Sequence, residues 1–207
     1  PCTSDLTDYT YTYPDYFFKD CYNYGISDYE EYRVRVMSAG IKRPTTQALG
    51  WLGAPTSPVR NKFIDIARSV GQSKIFYRNI NWDSDYKTIP PEKYMSVIGQ
   101  TGMFKYLIDM EGLGYSPRLK LQFFSYRPVF IVDRPWCEFF YKDLEPWEHY
   151  IPVSRDLSDL LENLERVERD TDLYKRIVSN ASDFAQAHLT QDKAVAVYKG
   201  ILQRHAN

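Results

Sequence analysis

The stretch TTQALGWLGAPTSPVRNKFIDIARSVG (45–71) decides the fold class. Its first nine residues form a short, largely apolar run closed by Gly53, the pattern of a buried strand. Ser57-Pro58 then opens a helix, because serine is a strong N-cap and proline suits the first helical position. Val59, Phe63, Ile66, Ala67 and Val70 recur at helical spacing, and Gly71 stops the run. A buried strand leading directly into an amphipathic helix is the unit from which α/β proteins are built.

The unit repeats downstream. KIFYRNI (74–80) reads as a second strand, and a polar stretch follows to Pro90-Pro91, with a short helix from Glu92. MFKYLIDM (103–110) is a third strand and SPRLKLQFFS (116–125) a second well-marked helix. PVFIVD (128–133) is a fourth strand, CEFFYKDL (137–144) a short helix and HYIPV (149–153) a fifth strand. Beyond it, Leu157, Leu160, Leu161, Leu164 and Val167 share one helical face, and helical pattern continues through Ile177, Phe184, Val195, Tyr198 and Ile201. Upstream, Ser27 or Asp28 caps a helix from Tyr29 to about Ala39, ended by Gly40. The expected fold is α/β, a Rossmann-like doubly wound parallel sheet whose ligand binds beyond the carboxyl ends of the strands. The expected division is an N-terminal Tyr-rich segment and helix (1–44), a Rossmann-like ligand-binding body (45–190) and a C-terminal helix (191–207).

Bulk properties narrow the function. The 207 residues carry a net charge of -1, so the basic excess usual in nucleic-acid binders is absent. No apolar run approaches the length of a membrane span. Cys2, Cys21 and Cys137 lack metal-ligand spacing. A Cys2–Cys21 disulfide is compatible with the count, which leaves the redox compartment open. The 18 tyrosines suit a protein that packs flat ligands and equally suit an aromatic core.

Charge at the helix starts carries the chemistry. Arg60 and Arg118 each fall in the expected first turn after a Ser-Pro start, where the macrodipole is already positive and a cation loses roughly 0.3–1 kcal/mol. Gly53 precedes one start, and Gly112 and Gly114 the other, so a ligand can approach the backbone. Amide groups, helix dipole and guanidinium together make an anion site, and two matched sites on one sheet suit a diphosphate. Lys120 adds to the second. The alternative is that each arginine pairs with a nearby carboxylate. Neither junction contains a Walker loop.

At GLGYSPRLK (112–120) the chain resembles the CAP10-like glycosyltransferases, glycosyltransferase family 90. The pattern G-x-x-x-S-x-R-x-K recurs there, PW-x-HY-x-PV follows in EFFYKDLEPWEHYIPVSRDLSDLLENLE (138–165), and LGAPTSPVR (52–60) resembles the family's upstream T-S-P-x-R element. The similarity covers roughly residues 48–190. It implies a GT-B-like donor-binding lobe with a reduced or truncated N-terminal acceptor lobe. It also implies an inverting transfer of glucose, xylose or a similar sugar from a UDP-sugar to a hydroxyl of a protein or glycan acceptor. No metal cofactor is implied. By the resemblance, Arg60 and Arg118 hold the diphosphate, with Thr56 and Ser57 beside Arg60. Leu113 through Arg118 form the nucleotide-binding loop, with Gly114, Tyr115 and Ser116 inside it and Gly112 just before it, and Tyr22 matches a donor-contacting tyrosine. Ala54 stands where the protein O-glucosyltransferases have a donor-contacting serine. The family's catalytic aspartate lies upstream of the Tyr-rich segment in an R-D-Y context. Asp5 and Asp8 are the carboxylates nearest that place, and neither has that context. The implied compartment is the endoplasmic reticulum or Golgi lumen for a eukaryotic member and the cytoplasm for a bacterial or viral one, and the chain's end shows no retention signal.

Other residues have paired readings. His149 is a candidate base or a structural hydrogen-bonder. Glu138 is a candidate for the ribose hydroxyls or a plain helix-start charge. Trp136 and Trp147 stack on uracil or fill the core, with the core favoured. Asp83-Ser84-Asp85 and Asp170-Thr171-Asp172 read as solvated turns, and the Asn180-Ala181-Ser182 sequon falls within a helix. The rival function is a non-catalytic nucleotide-sugar-binding fragment lacking the base; a different α/β phosphate-binding enzyme is the third.

Overall fold

A computed structural model describes residues 13–20, 26–80, 96–112, 114, 116–135 and 137–205. Among them, five parallel strands form one sheet: β1 (Thr46–Gly53), β2 (Ile75–Asn79), β3 (Phe104–Asp109), β4 (Val129–Val132) and β5 (Ile151–Val153). Their spatial order is β2-β1-β3-β4-β5. Chain order runs one way from β1 to β2 and the other way from β1 to β3, so the winding reverses between β1 and β3. Crevices at such a reversal, beyond the carboxyl ends of the strands, are where doubly wound sheets bind ligands.

The helices are α1 (Tyr29–Ile41), α2 (Pro58–Val70), α3 (Val97–Met103), α4 (Leu119–Gln122), α5 (Leu160–Arg169), α6 (Thr171–His188) and α7 (Gln191–His205). They cover both faces of the sheet. Phe63, Ile64 and Ala67 of α2 pack with Leu160, Leu164 and Val167 of α5 on one face, against Tyr106, Ile108, Phe130 and Val132. On the other, Tyr29 and Val36 of α1 join Val97, Leu119 and Phe184 against Val129 and Ile131. Alternate residues of β4 therefore serve opposite layers, the period of two that a strand imposes. The long α6 places Leu173 and Ile177 in the first layer and Ala181, Phe184 and Ala185 in the second.

Strands, sheet type and the helices α1, α2, α5 and α6 follow the sequence patterns. Asp28 is the cap of α1, accepting from Glu31 N at 2.7 Å. Two expected helices differ. The segment 116–125 makes four residues of α-helix with Arg118 in the cap position, and the cap makes no side-chain hydrogen bond. Arg118 thus sits one position ahead of the first turn, and Ser116 caps nothing. The segment 137–144 holds only a 3-10 turn, Tyr141–Asp143. In both, large aromatic side chains (Phe123, Phe124, Phe139, Phe140) are buried, and their packing overrides helical propensity.

β1 lies inside the sheet, between β2 and β3, and is crowded there. A Cβ on Gly50 would lie 2.0 Å from the Phe104 ring. Gly50→Ala is expected to lower unfolding stability by about 1–3 kcal/mol, measured by urea denaturation.

Candidate functional site

The two loops that leave β1 and β3 meet over the reversal point. Ser57 is the N-cap of α2 with Pro58 next to it. Its hydroxyl accepts from Arg60 N at 3.3 Å and donates to the Glu111 carbonyl at 3.2 Å, so one side chain both starts the helix and ties the loops. Arg60 spans the same gap. Its Nη1 donates to the Ala54 carbonyl and to Thr56 Oγ1, both at 3.0 Å, and its Nη2 to the Met110 carbonyl at 3.3 Å. The guanidinium lies over the Trp51 ring, 5.5 Å from the centroid.

Gly112 has a packing reason. A Cβ there would stand 3.0 Å from Arg60 Nη2 and 3.2 Å from Cζ. The missing side chain makes room for the guanidinium.

Arg118 comes to the same strand end from the other loop. It is 6% exposed, and its Nη1 donates to the Leu52 carbonyl at 2.8 Å. The two guanidiniums therefore bind carbonyls two residues apart, Leu52 and Ala54. Among the described residues Arg118 forms no ion pair, so the carboxylate partner expected on the alternative reading is not there. A buried cation held only by a neutral oxygen is costly, and an anion reaching it removes that cost.

Residues that sequence reasoning did not single out form the floor. Asp109, the last residue of β3, is fully buried. Its Oδ1 takes a short hydrogen bond from Ser116 Oγ, and its Oδ2 receives Arg134 Nη1 at 2.6 Å. Arg134 also donates to the Val132 and Asp109 carbonyls, each at 3.1 Å. Glu111 is held by Arg155 through two bonds, 2.6 and 3.1 Å. Arg134 and Arg155 also line a cleft of about 470 Å³ at the ends of β4 and β5, with Asp133, Tyr141, Tyr150 and Ser154. A charged residue ending an apolar strand, as in LID (107–109), was the available signal for Asp109.

Lys120, expected beside Arg118, is tied to two carboxylates instead. Fully buried, its ammonium pairs with Asp15 at 2.8 Å and Glu138 at 3.0 Å, beneath the rings of Phe17 and Phe18. Glu138, a candidate for ribose hydroxyls, is thus engaged with Lys120 and 7% exposed. Burial pushes its carboxyl up to about 7, Lys120 opposing the rise.

The other candidates separate. His149 Nδ1 accepts from Glu145 N at 2.9 Å, and its ring packs 5.1 Å from Phe184, contacts of the kind the structural reading expects. Trp147 lies on the other face with Arg166 4.0 Å over its ring. Asp170 caps α6, accepting from Asp172 N and Leu173 N. In the sequon, Asn180 Nδ2 donates to Glu148 and Ser182 is buried in α6. Cys137 is buried and free. Asp5, Asp8, Tyr22, Leu113, Tyr115, Trp136, Cys2, Cys21, Glu92 and Asp83-Ser84-Asp85 lie outside the described residues. Among the described residues no cluster has the composition of a metal site, and no helix is long and apolar enough to cross a membrane.

The fold and the crevice define a class: a Rossmann-like α/β domain whose two arginines gather at its winding reversal. The chain belongs to glycosyltransferase family 90, whose model matches residues 2–207. Protein O-glucosyltransferase 1 of Rattus norvegicus is 34% identical over 158 residues, 74% of this chain and 40% of that protein. An O-glucosyltransferase rumi homolog of Aedes aegypti is 26% identical over 192 residues, 89% of this chain and 48% of that protein. The chain thus spans less than half the length of these curated relatives. A solved C-terminal domain of a glycosyl transferase group 1 family protein from Francisella tularensis aligns over 88% of this chain at 13% identity, with a TM-score of 0.49.

Two outcomes are expected. Gly112→Ala should shift the Arg60 guanidinium by a few tenths of an ångström over the Trp51 ring, changing the tryptophan fluorescence that Trp51 contributes while leaving the far-UV circular dichroism unchanged. For Glu138, the folded pKa of about 7 lies above its ordinary value near 4.5. The folded state therefore binds this proton more readily, so its contribution to stability is present below about pH 4.5 and is lost as pH rises through 7. Glu138→Gln should flatten the fall in urea midpoint between pH 5 and 8.

Proposed function

We propose that this chain binds a UDP-sugar in the crevice between β1 and β3, and that the protein transfers glucose, xylose or a similar sugar to a hydroxyl of a protein or glycan acceptor with inversion. The carrying observation is Arg118: a buried guanidinium, unpaired with any carboxylate among the described residues, at the point where doubly wound sheets bind ligands. Arg60 stands beside it at the N-terminus of α2, where backbone amides and the helix dipole already favour negative charge. Membership of family 90, and the names of the relatives, support sugar transfer as the reaction.

In such a transfer the acceptor oxygen bonds to the anomeric carbon while the bond to the diphosphate oxygen breaks. Negative charge builds on the departing diphosphate. Guanidiniums fixed in advance by Leu52, Ala54 and Met110 stabilise that charge without reorganising. This role makes a divalent ion unnecessary in the proposal, so turnover should persist in EDTA. The acceptor proton needs a base. The carboxylates at the crevice floor, Asp109 and Glu111, are each held by an arginine, and His149 is bonded elsewhere. That observation keeps the second reading, a nucleotide-sugar-binding module without turnover.

Isothermal titration with UDP, UDP-glucose, UDP-xylose and UDP-galactose, beside a donor-hydrolysis assay, tests both. Arg118→Ala should abolish measurable UDP binding. Arg60→Ala should weaken it by about 1.5–3 kcal/mol, roughly 10- to 150-fold. Wild-type affinity in both variants defeats the proposal; tight binding without hydrolysis or transfer selects the second reading.

A further inference from the structure

Arg118 reaches Leu52 from a loop that needs its own anchor, and the anchor is a buried line of charge. Arg134, leaving β4, turns back across the sheet end onto both the side chain and the carbonyl of Asp109. Asp109 passes the constraint forward by accepting Ser116 Oγ, seven residues on, which ties Ser116 to the end of β3. Only Pro117 separates Ser116 from Arg118. A path of three hydrogen bonds and one step along the chain, Ser116 to Arg118, thus runs from Arg134 after β4 through Asp109 of β3 to Leu52 of β1. The Asp109 and Arg134 side chains are 0% and 2% exposed, so the pair is removed from solvent screening.

We propose that Asp109 and Arg134 are positioning residues that act through Ser116 to aim the Arg118 guanidinium at the donor diphosphate; this rests on the reading of the crevice as a diphosphate site. A buried ion pair gains little net stability over an apolar pair of similar volume. What it supplies here is direction. Asp109 has two oxygens, one pointing to each neighbour, and an apolar pair would leave the Ser116 hydroxyl without its acceptor. Ser116 is accordingly an internal tether, although the sequence places it within the nucleotide loop.

The test compares UDP affinity with thermal stability in S116A, S116T, R118A and the apolar replacement D109L/R134M. Positioning predicts that S116A weakens UDP binding roughly tenfold, about the worth of one hydrogen bond. S116T, which keeps the hydroxyl, restores it. D109L/R134M is expected to fold and to bind UDP as weakly as S116A or more so. Wild-type affinity in folded S116A and D109L/R134M, with R118A inactive in binding, overturns the positioning role and leaves the diphosphate site standing. UDP affinity unchanged in R118A overturns both.

Discussion

The hydrogen bond from Arg118 to the Leu52 carbonyl joins the two halves of this molecule's winding. β1 turns one way to β2, and the chain later returns on its other side as β3, so the loops after β1 and β3 face each other with no strand between them. Backbone carbonyls at a parallel strand's end have no ladder partner beyond it. Cationic side chains from the opposite loop satisfy them here: Arg118 on Leu52, Arg60 on Met110, with Ser57 donating to Glu111. The crevice is held open and in register by the groups that line it.

That arrangement explains why so much charge is buried at one end of the sheet. Asp109, Glu111, Arg118, Lys120, Arg134 and Glu138 are all nearly inaccessible. Each acidic member has a basic partner: Asp109 with Arg134, Glu111 with Arg155, Glu138 with Lys120. Arg118 is the member without one among the described residues. An unbalanced buried cation is a poor contribution to stability and a good one to anion recognition, which is how structure and proposed function connect. Asp15 belongs to the same economy of pairing, since Lys120 ties the N-terminal segment to the loop that carries Arg118.

The opposite end of the sheet is tied together by Arg127. Arg127 donates to the carbonyls of Gly40, Lys42, Thr101, Phe104 and Tyr126, gathering the ends of α1 and α3 around the start of β3. One guanidinium thus satisfies carbonyls that helix ends leave over. Arg118 lies at the carboxyl ends of the strands and Arg127 at the amino ends, and each satisfies carbonyls at its own end of the sheet.

What the sequence determined by itself were the features set by local physics. Apolar periodicity marked the five strands and the long helices, and Ser57-Pro58 marked the start of α2, because caps and period-2 or period-3.6 patterns act within a few residues. Arg60 in a first turn was legible for the same reason. The family was legible in motifs such as GLGYSPRLK. Tertiary structure alone decided what each side chain touches. Ser116 and Ser57 have the same local context, Ser-Pro before a basic residue, yet one caps a helix and the other anchors to Asp109. Lys120 and Glu138 are separated by 18 positions and meet only because β4 lies beside β3. Hydrogen bonds between distant residues depend on strand order, which no local pattern encodes, and packing of Phe123 and Phe124 was enough to reduce an expected helix to a single turn.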